Sequence, residues 1–127
     1  MRKLIGIVFA TAVIVLAVVF FCNRASRDMV LNKELEDLLA QGEKEIDLTT
    51  LTNFEWDAVS AFGPYTTNDQ IEESMGIRFK GDNGGINVLE DRFLLVFANG
   101  KYAVKTVVLS RKYGEFKVKD EKLLIVY

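Results

Sequence analysis

The chain has 127 residues, half of them hydrophobic, with 16 basic and 18 acidic side chains, one proline, one cysteine and no histidine. The lack of histidine removes the commonest general base and the commonest transition-metal ligand, and a single cysteine excludes both an internal disulfide and a cysteine-based zinc site. The net charge of −2 and the absence of a basic, aromatic-studded stripe argue against nucleic-acid binding, and the aromatic content argues against disorder.

Leu4 to Cys22 is a run of 19 residues without a charge. At about 1.5 Å of rise per residue a helix of that length reaches roughly 28 Å, close to the ~30 Å hydrocarbon thickness of a bilayer. A cleavable signal peptide has an apolar core of about 7 to 15 residues and small residues at the cut. This core is longer, and Asn23, Arg24 and Ala25 offer no small pair. A lipoprotein signal needs a small residue before the modified cysteine, but Phe21 precedes Cys22. The favoured reading is an uncleaved transmembrane anchor over 1–22, a short spacer over 23–27 and one domain over 28–127, with cleavage and lipidation of Cys22 as alternatives.

The positive charges flanking the segment nearly tie, Arg2, Lys3 and the amino terminus against Arg24, Arg27 and Lys33, so the positive-inside bias decides little. A three-residue tail before one apolar segment has the form of a signal-anchor, which places the domain outside the cytoplasm. The chain holds no Asn-x-Ser/Thr acceptor, which favours a bacterial source over a glycosylating pathway.

The remaining hundred or so residues suffice for one domain with one core. Ser26 is the expected N-cap of a helix over Asp28 to Gln41, where Leu31, Leu35, Leu38 and Leu39 recur at helical spacing, and Gly42 ends it. Glu43 to Asn53 is polar and mixed, and Phe54 to Phe62 reads as a short strand. Gly63 and Pro64 break that strand, and Thr67 with Gln70 forms a capping box for a short helix closed by Gly76.

Phe93 to Phe97 and Tyr102 to Leu109 flank an Asn99-Gly100 pair, the strongest short-range hairpin signal. A turn centred on that pair sets Phe97 opposite Tyr102, Leu95 opposite Val104 and Phe93 opposite Thr106 on a core face under the helices. Leu94, Val96, Val107 and Leu109 then form an apolar second face, either covered or a docking surface. Phe116 to Lys119 and Leu123 to Tyr127 predict a last hairpin. The fold class is therefore α+β, with two helices packed on an antiparallel β-meander.

Several residues invite chemistry. Glu55 and Asp57 lie two apart, hence on one face of a strand, and would support hydrolysis only if they lined a pocket. Asp82, Asn83, Gly84 and Gly85 form an oxygen-rich loop whose spacing fails the EF-hand pattern, so a plain hairpin loop is favoured. Phe54, Trp56, Phe62 and Tyr65 read as core filling, with an exposed Tyr65 as the alternative interface anchor. No catalytic, cofactor-binding or metal-binding residue is assigned.

Charge is unevenly placed. Asp28 to Asp91 carries 15 acidic and 4 basic residues, whereas Arg92 to Tyr127 carries 8 basic and 3 acidic. Either basic strands pair with acidic helices, or the domain is a dipole with a basic edge attracted to anionic lipid or an acidic partner.

The stretch Phe54, Trp56, Asp57, then Phe62 to Tyr65, Ile71, Gly76, the Asn99-Gly100 pair, Arg111, Gly114 and Phe116 resembles small bacterial cell-envelope proteins, described as hypothetical membrane proteins or lipoproteins. The resemblance implies an envelope setting and no activity. The order of two helices and a meander is also similar to the small lipoprotein of the outer-membrane barrel assembly machinery, an analogy of fold alone. Together these readings predict a membrane-anchored, extracytoplasmic, non-catalytic binding module for another envelope protein or a peptide, contacting it through Tyr65, Leu94, Val96, Val107 and Leu109. The alternative is an inhibitor or immunity-type protein that occludes a toxin or hydrolase with its acidic part.

Overall fold

Ser26 is not a helix cap but part of an edge strand. A computed structural model describes residues 24–127, and in it β1 (Ser26–Arg27) runs parallel to a later strand before the chain turns into α1 (Met29–Ala40). Asp28 is the N-cap, its carboxylate accepting the Leu31 N–H at 3.0 Å. The helix ends in the expected way: the Gly42 N–H bonds to the Leu39 carbonyl and the Glu43 N–H to the Leu38 carbonyl, a Schellman pair. Among the described residues no helix is long and apolar enough to cross a membrane. The expected anchor over 1–22, with Cys22, lies outside them.

The polar stretch after α1 contains a strand that its three residues did not reveal, β2 (Glu45–Asp47), followed by a 3-10 turn over Leu48–Thr50. Only the second half of the expected strand forms, as β3 (Ala58–Phe62). α2 (Asn68–Met75) opens on the capping box of Thr67 and Gln70 and closes on Gly76 at φ 66, as the sequence predicts. The long hairpin β4 (Arg92–Asn99) and β5 (Tyr102–Ser110) follows, then β6 (Phe116–Lys119) and β7 (Leu123–Val126).

These strands make two sheets rather than one meander, in the orders β1-β5-β4-β3 and β2-β7-β6. The larger sheet is the middle layer. On one face Phe93, Leu95, Phe97, Val107 and Leu109 pack with Leu31, Leu35 and Leu39 of α1 and with Ile46, Phe116, Leu124 and Val126 of the smaller sheet. On the other, Leu94, Val96, Ala98 and Val108 pack with Ile71 of α2 and with Ile77, Phe79 and Ile86 of the segment that follows it. The helices therefore cover opposite faces, where the sequence reading had put both on one.

The long hairpin differs in register from the expectation. Gly100 and Lys101, not Asn99 and Gly100, occupy the centre of the turn, which Asn99 and Tyr102 close. Gly100 takes φ 63 at the first central position, the type II′ pattern. A bulge then leaves Val104 without a partner between the pairs Ala98–Ala103 and Phe97–Lys105. With the bulge, Val107 and Leu109 turn towards α1, and the Thr106 hydroxyl, fully buried, donates to the Asp82 carbonyl at 3.1 Å. Thr106, which an unbroken ladder centred on Asn99-Gly100 would have aimed into the core face, is displaced by that rephasing, whereas Val104 still packs, partly buried, against the α1 cluster.

Candidate functional site

Four of the five residues expected to bind a partner are inaccessible. Leu94, Val96, Val107 and Leu109 are each 0 % exposed, and they do not share a face: Leu94 and Val96 point towards α2, Val107 and Leu109 towards α1. The apolar second face of the sheet is covered within the domain by Ile71, Ile77, Phe79 and Ile86. Sequence reasoning missed this cover because the segment after α2 has no regular periodicity, although Ile77 and Phe79 alternate with Arg78 and Lys80 as a half-buried strand would.

Tyr65 is exposed and does not fill the core, which fits the alternative reading of its turn and not the favoured one, but its groups are engaged. It sits at φ 65 after Pro64, where a type II turn favours glycine. Its N–H bonds to the Ile86 carbonyl at 2.7 Å and its hydroxyl donates to Glu90 at 3.1 Å. That hydrogen bond to the Glu90 carboxylate pushes the phenol above its ordinary value. The expected aromatic cluster is divided: Phe54 and Trp56 stand edge-on to Phe97, each at 5.2 Å, whereas Phe62 belongs to the opposite face.

A concavity among the described residues lies at the end of the sheet where the long hairpin turns. It is an open groove of about 730 Å³ lined by Thr49, Thr52, Phe54, Glu55, Trp56, Asp57, Asn99, Asp120, Glu121 and Lys122. Three segments converge there for local reasons. Asp47 caps the 3-10 turn, accepting from the Thr49 N–H at 3.0 Å and the Thr49 hydroxyl at 2.6 Å, and these bonds hold its carboxyl below the usual range. Thr52 accepts the Trp56 indole N–H at 2.8 Å, which fixes the ring against Phe97. Asp57 accepts the Gly100 N–H at 3.1 Å while its own N–H reaches the Ala98 carbonyl at 2.9 Å, so the hairpin tip is clasped to the start of β3.

The third wall is the turn between β6 and β7. Its central residues Asp120 and Glu121 both have positive φ, 53 and 63, and the Lys122 N–H closes on the Lys119 carbonyl at 3.3 Å, a type I′ arrangement built without glycine. The result is a half-buried aromatic floor edged by four exposed carboxylates, Glu55, Asp57, Asp120 and Glu121, with Lys122 as the one cation in the lining. A smaller cleft of about 290 Å³ adjoins it, sharing Asp57 and Glu121 and reaching Ser60, Ser74 and Met75.

Glu55 and Asp57 thus do line a common groove. Both are exposed, and one oxygen of Asp57 serves the hairpin tip. Among the described residues no group of three or more acidic or cysteine side chains is placed to hold a metal. The Asp82 to Gly85 loop is not a hairpin loop; Asp82 and Asn83 accept from the N–H groups of Gly84 and Gly85 at 2.7 and 3.0 Å, and its carbonyl at Gly84 receives Arg92 at 3.1 Å.

The charge segregation is not resolved by pairing. Among the described residues the ion pairs are Lys33–Asp37, Arg92–Asp91 and Arg111–Glu115, each within four positions in sequence, so no basic strand is paired with an acidic helix. The Asp91 carboxylate beside Arg92 is held below its usual range by that bond. Fold and groove define a class, a small α+β domain with an acidic groove floored by aromatic rings. No family model, curated protein or solved structure matches the chain.

Proposed function

We propose that this protein is a membrane-tethered, non-catalytic binding module of the cell envelope, held by its apolar N-terminal segment with the domain outside the cytoplasm. Its contact surface is the acidic groove, and its partner presents lysine or arginine side chains on an extended peptide segment. The observation that carries this reading is the composition of the groove: four carboxylates around Phe54 and Trp56, opposed by Lys122. Carboxylates attract cationic side chains over a Debye length, and an aromatic edge accommodates their alkyl stems and cationic heads. Tethering helps a weak binder of this kind by raising the local concentration of groove and partner. The resemblance to small envelope proteins points to the same setting.

Trp56 is the one tryptophan of the chain and reports on its own groove. Full-length protein in lipid vesicles, titrated with a lysine-rich peptide, is expected to give a saturable change in Trp56 emission. The double substitution Glu55→Gln, Glu121→Gln should weaken the apparent affinity about tenfold, the equivalent of ~1.4 kcal/mol. A signal that is unsaturable, or unchanged by the double substitution, refutes the groove as the contact surface. Hydrolytic turnover abolished by removing both Glu55 and Asp57 would overturn the non-catalytic assignment.

A second reading, an inhibitor that occludes a basic toxin or hydrolase, is favoured by the exposed Asp69 and Glu73 of α2, which form no ion pair among the described residues. Glu72 is not part of that surface in a simple way, because its carboxylate accepts the Phe79 N–H at 2.9 Å. Neutralising Asp69 and Glu73 should reduce partner capture under this reading and leave it unchanged under the first.

A further inference from the structure

The chain enters the domain through a ring of basic side chains. Ala25 is 4 % exposed and locked on both sides of its peptide: its N–H reaches the Lys80 carbonyl at 2.6 Å, and its carbonyl accepts the Asp82 N–H at 3.2 Å. One residue on, Ser26 pairs with Lys105, whose ammonium donates to the Ser26 hydroxyl at 3.0 Å. The strand-like segment 77–80 lies beside this entry point, with Ile77 and Phe79 buried and Arg78 and Lys80 exposed on its outer side. The Arg78 N–H bonds to the Lys101 carbonyl at 2.7 Å, which brings the basic hairpin tip to the same place.

Arg24, Arg78, Lys80, Lys101 and Lys105 therefore lie on the segments that border the point of entry, and among the described residues none of them forms an ion pair. The acidic residues beside them have carboxylates turned to the backbone: Asp28 to Leu31, Asp57 to Gly100, Glu72 to Phe79 and Asp82 to Gly84. Ala25 follows Cys22, the last residue of the apolar run, by three positions, and three residues span at most about 11 Å even when fully extended. A segment held in a bilayer up to Cys22 thus delivers this ring to the headgroup layer.

We propose that the ring is a lipid-contact surface: it rests on an anionic bilayer and fixes the orientation of the domain, with the acidic groove tilted away from the surface. The inference rests on the tether proposed above and adds to it a defined face. Basic side chains at a bilayer surface are attracted by the negative potential of anionic lipid, and carboxylates at Glu55, Asp57, Asp120 and Glu121, on the β3 side of the same end of the sheet, are repelled by it.

The test uses the full-length chain reconstituted in vesicles of phosphatidylcholine alone or with phosphatidylglycerol, separated by flotation, with lysine acetylation rates read by mass spectrometry. In the anionic vesicles Lys80 and Lys101 should react at least about threefold more slowly than in the neutral ones, and about 1 M salt, where the Debye length is about 3 Å, should restore them. Lys44 and Lys112, exposed at the other end of the domain, should react alike in both. The double substitution Arg78→Glu, Lys80→Glu should abolish the protection of Lys101, with unchanged Trp56 emission reporting an intact fold. Equal rates at Lys80 and Lys101 in the two lipids, for chain that floats with the vesicles, overturn the contact surface while leaving the tether standing. Chain that fails to float overturns the tether and the lipid contact with it.

Discussion

Asn32 lies on the buried side of α1 yet carries an amide, and the reason is on the neighbouring strand. Its Nδ2 donates to the Val108 carbonyl at 2.9 Å and its Oδ1 accepts the Val108 N–H at 2.8 Å, so one side chain takes the place of a missing strand. Four residues earlier the Asp28 N–H bonds to the Thr106 carbonyl, and four later the Glu36 carboxylate accepts the Ser110 N–H. Four helical residues rise about 6.0 Å and two strand residues about 6.7 Å, which lets positions 28, 32 and 36 keep step with 106, 108 and 110. The outer edge of β5 is thereby closed to further strand pairing. Asn32→Ala should cost ~2–4 kcal/mol in urea unfolding, because two buried backbone groups lose their partners. Asn32→Leu should do no better, which separates the hydrogen bonds from the cavity. An asparagine beside a leucine stripe gave no hint of this from sequence, since the pairing lies 76 positions away.

At the same scale, Asp120 and Glu121 occupy left-handed backbone, a conformation that costs an L-residue roughly 1–2 kcal/mol. Glu121→Gly should raise stability by about 0.5–1 kcal/mol, the relief being reduced by the freer unfolded chain, and should weaken binding of a basic peptide, since Glu121 lines the groove. Stability gained together with affinity lost would mark a strained turn kept for its charge. Asp47 makes a prediction in pH. Its folded carboxyl lies below the ordinary value because of the two Thr49 bonds, so its contribution is present above the unfolded carboxylate range and is lost as pH falls through the lowered folded value. Thr49→Ala should flatten that acid limb in a series of melting temperatures.

At the scale of elements, what could be read from the chain was what local chemistry dictates. The capping box at Thr67 and Gln70, the leucine spacing of α1, the Gly42 and Gly76 ends and the long hairpin all follow from contacts within a few residues. What could not be read depends on distant partners. β1 is two residues that become a strand only beside β5, β2 is three that need β7, and the register of the hairpin is set by a bulge that no residue type announces. The groove was legible in part: Glu55, Asp57 and Trp56 were singled out, but the Asp120 to Lys122 turn that completes it comes from the other end of the chain. Gly81 shows how such distant pairing is enforced. At φ 118, a Cβ there would meet the Ala25 carbonyl. Gly81→Ala should therefore cost ~2–4 kcal/mol and raise amide exchange at Ala25 to Arg27 before the rest of the sheet.

Across the whole molecule, the central sheet divides two apolar clusters that share its strands. Leu94 and Leu95 are sequence neighbours, both 0 % exposed, and face opposite clusters. A sheet buried on both faces couples the layers, since neither α1 with the small sheet nor α2 with its following segment has another surface on which to bury its apolar side. Leu94→Ala and Leu95→Ala should each cost about 2–5 kcal/mol, and each should shift a single transition seen alike by far-ultraviolet dichroism and by Trp56 emission. Trp56 packs in the Leu95 cluster, so it is the informative probe for Leu94→Ala. Were the α2 layer an independent unit, Leu94→Ala would lower its hydrogen-exchange protection and leave the Trp56 midpoint in place. A common shift instead means that the groove at the β3 edge of the sheet and the basic entry ring at its β1 edge are parts of one cooperative body, so that a lipid surface that fixed the ring would fix the groove as well.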